Sequence, residues 1–164
     1  MDNEATVQQV LRITRYIVEA RDVCFLMTRG EAGQINARLM QPFGPEEDMT
    51  FWFGCSDGSR KVREVGREGQ ATVGYLLPSE GAYATFQGRA TVERDVALRR
   101  RYWRESFAEF WPDGPEGSDY VLIRFRPSRL EVMHLQQDVA PEPYGLRPAI
   151  LWREGEEWRL ADAE

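Results

Sequence analysis

The sequence predicts a mainly β protein in which a closed or half-closed antiparallel barrel is flanked by a few helices. Short apolar runs bounded by glycine, proline or polar residues recur about seven times, as is typical of antiparallel strands. Apolar residues at helical spacing are confined to three segments. The 164 residues correspond to one domain. Within residues 1–164 we expect a barrel core over 1–135 and a C-terminal extension with a hairpin over 136–164.

The N-terminal third is predicted to contain one helix and three strands. Apolar side chains at helical spacing predict a helix over residues 4–20. Two buried strands follow over residues 23–28 and 35–40, separated by a glycine turn. An aromatic third strand over residues 49–55 follows a loop that contains two prolines.

The middle of the chain is predicted to contain a short helix over residues 59–67, followed by two strands over residues 71–77 and 83–92. Asp95 can cap a helix over residues 96–110. We expect the apolar face of that helix to be buried and its basic run 99–101 to face solvent or an anion.

The last third is predicted to contain two further strands, over residues 120–126 and 130–135, and a polar link over residues 136–144. A hairpin over residues 150–160 ends the pattern.

Charge and residue counts exclude several classes of function. The net charge of −6 disfavours binding to nucleic acid or to an anionic membrane. No apolar run approaches the roughly 18 residues of a membrane span, and the first residues do not resemble a secretory signal, so we expect a cytoplasmic protein. His134 is the single histidine, so no metal site is expected. Cys24 and Cys55 are interpreted as small buried apolar residues.

Lysine use is unusual, because 20 of the 21 basic residues are arginine and only Lys61 is lysine. Where the two residue types are interchangeable, this chain uses arginine. A compact phosphate contact is a place where they are not. We therefore treat Lys61 as a candidate functional residue, the alternative being an ordinary surface lysine.

The segment of residues 51–62 passes from an aromatic strand through a glycine turn into a helix. A helix N-terminus attracts anions through its free N–H groups and its dipole. Arg60 and Lys61 in the first turn are unfavourable for the helix itself and favour a bound phosphate there. The alternative is an ordinary helix capped by Ser59 with exposed basic residues. The spacing is not that of a P-loop.

Several motifs in this order resemble the pyridoxamine 5′-phosphate oxidase superfamily and its general stress protein branch. Gly58-Ser59-Arg60-Lys61 resembles the FMN-phosphate motif of that family, and Asn36-Ala37-Arg38-Leu39-Met40 resembles its Ala-Arg-x-Met strand. Residues 86–90 with Asp95, 110–115 and 119–124 resemble the general stress protein branch. The resemblance covers about residues 5–135.

The resemblance implies an FMN-binding split β-barrel of six to seven antiparallel strands with Greek-key topology. It implies a homodimer with FMN at the interface, in which Ser59, Arg60 and Lys61 hold the phosphate. The remaining cofactor contacts that it implies are Arg38, Leu39, Met40, Gly54, Cys55 and Trp111. Phe110-Trp111 inverts the usual aromatic order of the branch, so either ring is a candidate.

The implied function is that of a flavoprotein, an FMN-dependent oxidoreductase with unknown substrate and unknown catalytic residues. Oxidation of pyridoxamine phosphate itself is not favoured, because Met133 stands where the oxidase strand ends in tryptophan. Three alternatives remain open. They are a flavin-binding or stress-sensing protein without turnover, a deazaflavin-dependent reductase, and a barrel that acts through its interface alone.

Overall fold

A computed structural model describes residues 6–137, 139 and 147–161 of the chain. The strands are β1 (Cys24–Arg29), β2 (Ile35–Met40), β3 (Phe51–Ser56), β4 (Gln70–Leu77), β5 (Ala82–Glu93), β6 (Tyr120–His134), β7 (Ala149–Glu154) and β8 (Glu157–Leu160). The helices are α1 (Val7–Glu19), α2 (Arg60–Glu68) and α3 (Val96–Arg101). The predicted mainly β antiparallel fold with flanking helices is confirmed.

All eight strands belong to one antiparallel sheet. The order along the sheet is β2-β1-β4-β5-β6-β7-β8, and β3 pairs separately with β6. The sheet folds over one core in which aromatic rings meet edge to face; the Phe51 and Phe86 rings, for example, lie 5.0 Å apart. The opposite side of the β1, β2 and β4 strands carries exposed apolar residues, and we call it the outer face.

Helix α1 covers one end of the core. Its N-cap is Thr6, whose hydroxyl accepts the Gln9 N–H at 3.2 Å. Val10, Ile13 and Ile17 are fully buried on the face that packs on the sheet, as the spacing predicts. None of the described helices is long and apolar enough to span a membrane.

Residues 120–134 form one continuous strand, so the prediction of two separate strands was wrong. The strand passes through Pro127 because the pairing with β5 shifts register between Gln87 and Gly88, which leaves Ser128 as an extra residue. Gly88 makes the close approach possible: a side chain there would meet the Arg126 carbonyl and would lie 2.6 Å from the Pro127 Cα.

Helix α3 ends at Arg101, well before the predicted end at residue 110. The chain turns at Tyr102, whose ring stacks on Trp52 at 4.6 Å and whose hydroxyl donates to Glu46. Residues Glu105–Glu109 then form a separate 3-10 turn, which places Phe107 against Trp103 and Phe43. The packing of Tyr102 and Phe107 against other aromatic rings therefore ends the helix, although the helical spacing of apolar residues continues to residue 110.

The basic run on α3 is only partly solvated, which corrects the expectation for Arg99. Arg99 is 8% exposed, and its guanidinium donates to the carbonyls of Gly117 and Tyr120 at 2.7 and 3.1 Å. Arg100 forms a surface ion pair with Glu116. Of the basic run 99–101, only Arg100 and Arg101 therefore lie at the surface as predicted.

The C-terminal hairpin is confirmed as β7 and β8, with a tight turn at Gly155 where φ is 63°. Strand β7 pairs with β6, so the hairpin extends the same sheet. Most of the predicted link over residues 136–144 lies outside the described residues.

We expect Gly88→Ala to destabilise the fold by roughly 1–3 kcal/mol, because backbone atoms of the neighbouring strand cannot move away from the new methyl group. Gly74→Ala is the matched control in the same sheet. Its Cβ would meet the flexible end of Met27 at 3.2 Å and the Thr85 methyl group at an ordinary contact distance of 4.0 Å, and we expect little loss. Urea unfolding of both variants measures the difference, and equal stability of the two would contradict the close approach.

Candidate functional site

The candidate site lies where β3 turns into α2. The side chains of Phe53 and Cys55 face the core, and the strand has β6 on one edge only. On its other edge the described chain adds a single bridge, between Phe43 and Trp52. The edge of β3 near Gly54 is therefore open beside the turn of residues 56–59.

Three contacts hold this turn in place. The Trp111 indole N–H donates to the Ser56 hydroxyl at 3.0 Å. The Asp57 N–H donates to the Asp119 carbonyl at 2.8 Å, and the Asp57 carboxylate pairs with Arg94. The segments that carry Trp111, Asp119 and Arg94 come from distant parts of the chain, so tertiary structure fixes the turn.

The start of α2 has polar groups without partners. Ser59 is the N-cap, yet its hydroxyl accepts no helix N–H, and its buried Oγ has no hydrogen-bond partner among the described residues. The first helical hydrogen bond runs from the Arg63 N–H to the Ser59 carbonyl at 3.3 Å. The N–H groups of Arg60, Lys61 and Val62 precede it and have no acceptor within the helix.

Two cations stand at the same helix end. Arg60 is exposed, and its nearest carboxylate is that of Glu64 at 3.6 Å. Lys61 is half-buried and forms no ion pair with any carboxylate of the described residues. The first turn contains no acidic residue, so the charges oppose the helix dipole. An anion with several oxygens would satisfy the hydroxyl, the N–H groups and the ammonium together.

The Glu64 carboxylate lies beneath α2 and joins the helix to β1 and β2. Its Oε2 accepts the Thr28 hydroxyl at 2.5 Å and the Arg38 guanidinium at 2.9 Å. Its Oε1 accepts the Asn36 amide at 2.5 Å. Arg38 also donates to Thr28, and its side chain is only 17% exposed. The structure therefore brings Arg38 and Arg60 to one carboxylate.

Glu64 is held in its charged form. Burial by itself would raise the pKa of this carboxyl, but hydrogen bonds from Thr28, Asn36 and Arg38 and the Arg38 charge outweigh burial and hold the pKa below its usual value. The carboxylate and the Arg38 guanidinium thus form a satisfied, nearly buried ion pair at neutral pH.

The other residues of the β2 motif point in different directions. Arg38 lies opposite Leu26, whose side chain is in the core, so Arg38 and Met40 share the inner face of β2. Leu39 is 62% exposed and lies on the outer face opposite Phe25. The three residues therefore do not line one cleft through their side chains.

Gly54 and Cys55 can offer only backbone groups to a ligand. A side chain on Gly54 would lie 2.8 Å from the Tyr120 hydroxyl, so the missing side chain serves the packing of the aromatic rings. The Cys55 thiol is buried, and burial raises its pKa to about 12. Both cysteines are free and buried, which confirms their interpretation as small core residues.

The aromatic residues Phe110 and Trp111 lie in different environments. Trp111 packs against Phe107 and Tyr120 and uses its N–H to hold Ser56, the first residue of the turn. Phe110 is 70% exposed. Trp111 is thus part of the support of the turn, and Phe110 presents a free ring to the surface.

Sequence reasoning missed Glu64 and the Asp57–Arg94 pair. Glu64 lies between Val62 and Val65, two apolar residues on the buried face of α2, so an acidic residue near such a face was a usable signal. Asn36 and Arg38 are two residues apart on β2, so their polar side chains share one face of the strand. Two polar residues on one strand face are the corresponding sequence signal for a partner such as Glu64. No local pattern indicates Arg94, because it meets Asp57 only through the fold.

His134 lies away from this site and is fully buried. Its Nε2 is 3.0 Å from the Glu80 carboxylate, and its Nδ1 accepts the Gln136 N–H at 3.2 Å. The hydroxyl of Tyr16 donates to the same carboxylate at 2.6 Å. Across the described ranges, no group of three or more His, Cys, Asp or Glu residues is placed to hold a metal ion.

A comparison with protein families matches residues 9–138 to the family described as pyridoxamine 5′-phosphate oxidase like. A comparison with curated proteins gives no match.

Solved structures show the same fold at low sequence identity. A protein from Clostridium acetobutylicum, related to general stress protein 26 of Bacillus subtilis, superimposes with a TM-score of 0.71 and 18% identity over 79% of this chain and 91% of its own. An FMN-binding pyridoxamine 5′-phosphate oxidase-related protein from Nostoc punctiforme gives 0.66 and 15% over 99% and 98%. PhzG from Burkholderia lata, solved with tetrahydrophenazine-1-carboxylic acid, gives 0.71 and 16% over 98% and 93%.

We expect Glu64→Gln to lower the free energy of unfolding by roughly 1–3 kcal/mol at pH 7, because an amide nitrogen would face donors of Thr28, Asn36 or Arg38. The folded-state pKa is below the unfolded value of about 4.3, so the charged form stabilises the fold above that pH and this stability is lost as the pH falls. The difference between wild type and variant should therefore shrink below about pH 4.

Chemical unfolding at pH 7 and at pH 3.5 measures this difference. Glu68→Gln is the control, because Glu68 is more exposed and its nearest cation, on Arg29, is 3.9 Å away. A Glu64→Gln penalty that stays constant over this pH range would show that charge on Glu64 is not what holds α2 to the sheet.

Proposed function

The chain belongs to the pyridoxamine 5′-phosphate oxidase-like family, and on that premise we propose that it is a flavoprotein that binds FMN at the start of α2. The observation that carries the proposal is the buried Ser59 hydroxyl, which has neither a helix N–H nor any other partner in the part of the chain that the structure describes. A buried hydroxyl without a partner is costly, and a ligand that accepts from it removes the cost.

The FMN phosphate fits the groups at this helix end. A phosphate has three acceptor oxygens and a charge of about −1.5 to −2, which matches a hydroxyl, the first-turn N–H groups and two cations. In our proposal Ser59, Arg60 and Lys61 hold the phosphate. Arg38 supports them through Glu64, which is within 2.9 Å of Arg38 and 3.6 Å of Arg60.

We propose that the remaining contacts of the flavin come from strands β2 and β3. Leu39 and Met40 offer the backbone of β2, and Gly54 and Cys55 offer the open edge of β3. Trp111 takes part by holding Ser56 at the start of the turn.

Bound FMN would supply transfer of a hydride or of electrons, and the protein would bind and orient it. We propose a flavin-dependent oxidoreductase with an unassigned substrate. Two solved relatives support this reading, one described as FMN-binding and one, PhzG, solved with tetrahydrophenazine-1-carboxylic acid.

A flavin-binding or sensing role without turnover is the second candidate. It is favoured because the carboxylates nearest the turn are engaged in ion pairs in the described part of the chain, Asp57 with Arg94 and Glu64 with Arg38. The Cys55 thiol is buried with a pKa raised to about 12, and the single imidazole, His134, is fully buried elsewhere. Turnover of the FMN-loaded protein with NADH or NADPH and an electron acceptor separates the two candidates.

We also propose a homodimer that places FMN at its interface. The outer face of β1, β2 and β4 carries large apolar side chains that are half or more exposed, namely Phe25, Ile35, Leu39 and Leu76. Apolar patches of this kind mark interaction surfaces. Leu39 adjoins Arg38 in the β2 motif, so a second copy on this face would lie close to the candidate site.

The C-terminal hairpin supports the treatment of residues 1–164 as one domain. It continues the sheet through β6, and two of the solved relatives are superimposed over 98% and 99% of the chain. We propose that the hairpin completes the barrel unit and does not form a separate module.

We expect Lys61→Ala to weaken FMN binding by about ten- to a hundredfold and to leave riboflavin binding almost unchanged. FMN has the phosphate that the ammonium would contact, and riboflavin lacks it. Arg60→Ala should behave in the same way, and Lys61→Arg should restore binding only in part, because a planar fork replaces a compact charge. Isothermal titration of the flavin-free protein with both flavins measures the ratio.

Arg67→Ala is the control, because Arg67 lies near the other end of α2 and donates to the Arg29 carbonyl at 2.8 Å. Equal losses for FMN and riboflavin in the Lys61 variant, or no loss for either, would remove the phosphate role.

We expect light scattering at micromolar concentration to give about twice the chain mass of 19.0 kDa. Phe25→Glu and Leu76→Glu should shift the protein to monomer, because both residues are more than half exposed in one chain and tolerate charge there. Val96→Glu, on an exposed position of α3, should leave the dimer intact. A wild-type monomer that binds FMN with full affinity would contradict a site built at the interface.

A further inference from the structure

The ion pair between Asp57 and Arg94 lies in the turn that leads into α2. The side chains are 38% and 57% exposed, so water competes for both charges. Ion pairs with this exposure contribute little to stability. Stability therefore gives only a weak reason for a carboxylate and its partner to stand beside the start of this helix.

The backbone of the turn does not depend on either of these side chains. The Ser59 N–H donates to the Ser56 carbonyl at 3.0 Å, which closes a β-turn. The Asp57 N–H donates to the Asp119 carbonyl at 2.8 Å. Because both bonds join backbone groups, a change of the Asp57 or Arg94 side chain alters the charge beside the turn and leaves these bonds in place.

The Asp57 carboxylate by itself opposes an anion at the helix start. It belongs to the second residue before the N-cap Ser59, and like charges at short range repel each other. Burial raises the pKa of the nearby Cys55 thiol. The charges of Lys61 and Arg94 lower the same pKa, and the charge of Asp57 raises it. These three charges therefore lie close to one buried thiol, and Asp57 acts on the surroundings of Lys61.

The fold supplies the compensating cation from a distant segment. Strand β5 ends at Glu93, and the Asp95 carboxylate caps α3 by accepting the Leu98 N–H at 3.0 Å. Arg94 stands between these two residues, so its backbone is fixed at the corner between strand and helix. In the described part of the chain, the Asp57 carboxylate is the one with which Arg94 forms an ion pair.

We propose that Arg94 is a positioning residue that makes the start of α2 selective for the phosphorylated flavin, FMN, over riboflavin. Its guanidinium holds the Asp57 carboxylate to one side and offsets its charge. The helix start then receives the phosphate without an unpaired negative charge beside it. This role rests on the proposed FMN function of the same site.

Arg94→Gln tests the role, because it leaves the Asp57 carboxylate unpaired beside the phosphate. We expect FMN binding to weaken by about three- to tenfold at low ionic strength, and the loss to shrink as salt is added. Riboflavin binding should change by less than about twofold, since riboflavin has no phosphate to repel. Calorimetric titration of the flavin-free protein with both flavins measures the FMN-to-riboflavin affinity ratio.

The double variant Asp57→Asn with Arg94→Gln separates positioning from direct contact. It removes both charges, so FMN affinity should return to within about twofold of wild type. Arg94→Lys keeps the charge and should also retain most of the affinity. If the FMN affinity of the double variant stays as low as that of Arg94→Gln, Arg94 does not act through Asp57 and the proposal is overturned.

Arg100→Gln is the matched control. Arg100 pairs with Glu116, and both of these side chains are 59% exposed, close to the 57% of Arg94. We expect the control to leave the affinity ratio unchanged. An Arg94→Gln variant with an unchanged ratio, an equal loss for both flavins, or an equal fall of the ratio in the control would each overturn the proposal.

The wild-type protein distinguishes this failure from failure of the FMN site itself. If wild type binds FMN more tightly than riboflavin and the Arg94 variants do not change that preference, only the role of Arg94 is wrong. If wild type binds FMN no more tightly than riboflavin, the phosphate site at the start of α2 is wrong, and the role of Arg94 falls with it.

Discussion

The side chain of Glu64 joins three elements that the chain brings together from separate segments. It reaches from α2 to a hydroxyl on β1 and to an amide and a guanidinium on β2. A carboxylate that is 7% exposed is tolerated only because each of its oxygens has a donor, and the loss of one partner would leave a buried charge. Glu64 therefore helps to fix the position of α2 over the sheet, and with it the position of the candidate site.

This dependence explains how α2 can begin with unfavourable chemistry. Its first turn carries two cations and no acidic residue, and its N-cap hydroxyl makes no capping bond, so local sequence supplies little stability at that end. Val62 and Val65 insert into the core, and Gly69 ends the helix in the left-handed conformation with φ at 72°. Tertiary contacts along the helix thus hold an N-terminus whose own groups remain available for a ligand.

Periodicity and turn residues were sufficient to predict most of the fold. The helix α1, the first five strands, α2 and the final hairpin all follow their sequence patterns closely, because alternation and helical spacing are local properties. The two errors have long-range causes. Residues 120–134 form one strand because Gly88 lets the partner strand approach Pro127, and α3 stops because Tyr102 stacks on Trp52.

The candidate site was also predictable only where its residues form a local sequence pattern. The turn and the helix start could be located because glycine, serine and the single lysine are adjacent in sequence. Glu64, Arg94 and Asp119 could not be placed there, since their contacts with Arg38 and Asp57 cross the fold. A pattern of residue types identifies which groups are present, and the tertiary contacts decide which of them remain unpaired.

The combination of cations with directional hydrogen-bond donors, and not the number of arginines, distinguishes the start of α2 as an anion site. Arginine is the general basic residue of the chain, so its presence at a position carries little information. At the start of α2 the cations are joined by directional N–H groups and a buried hydroxyl, which favour a tetrahedral anion at one fixed point. A chain with a net charge of −6 repels anions at long range, so the start of α2 depends on its own local charges to attract one.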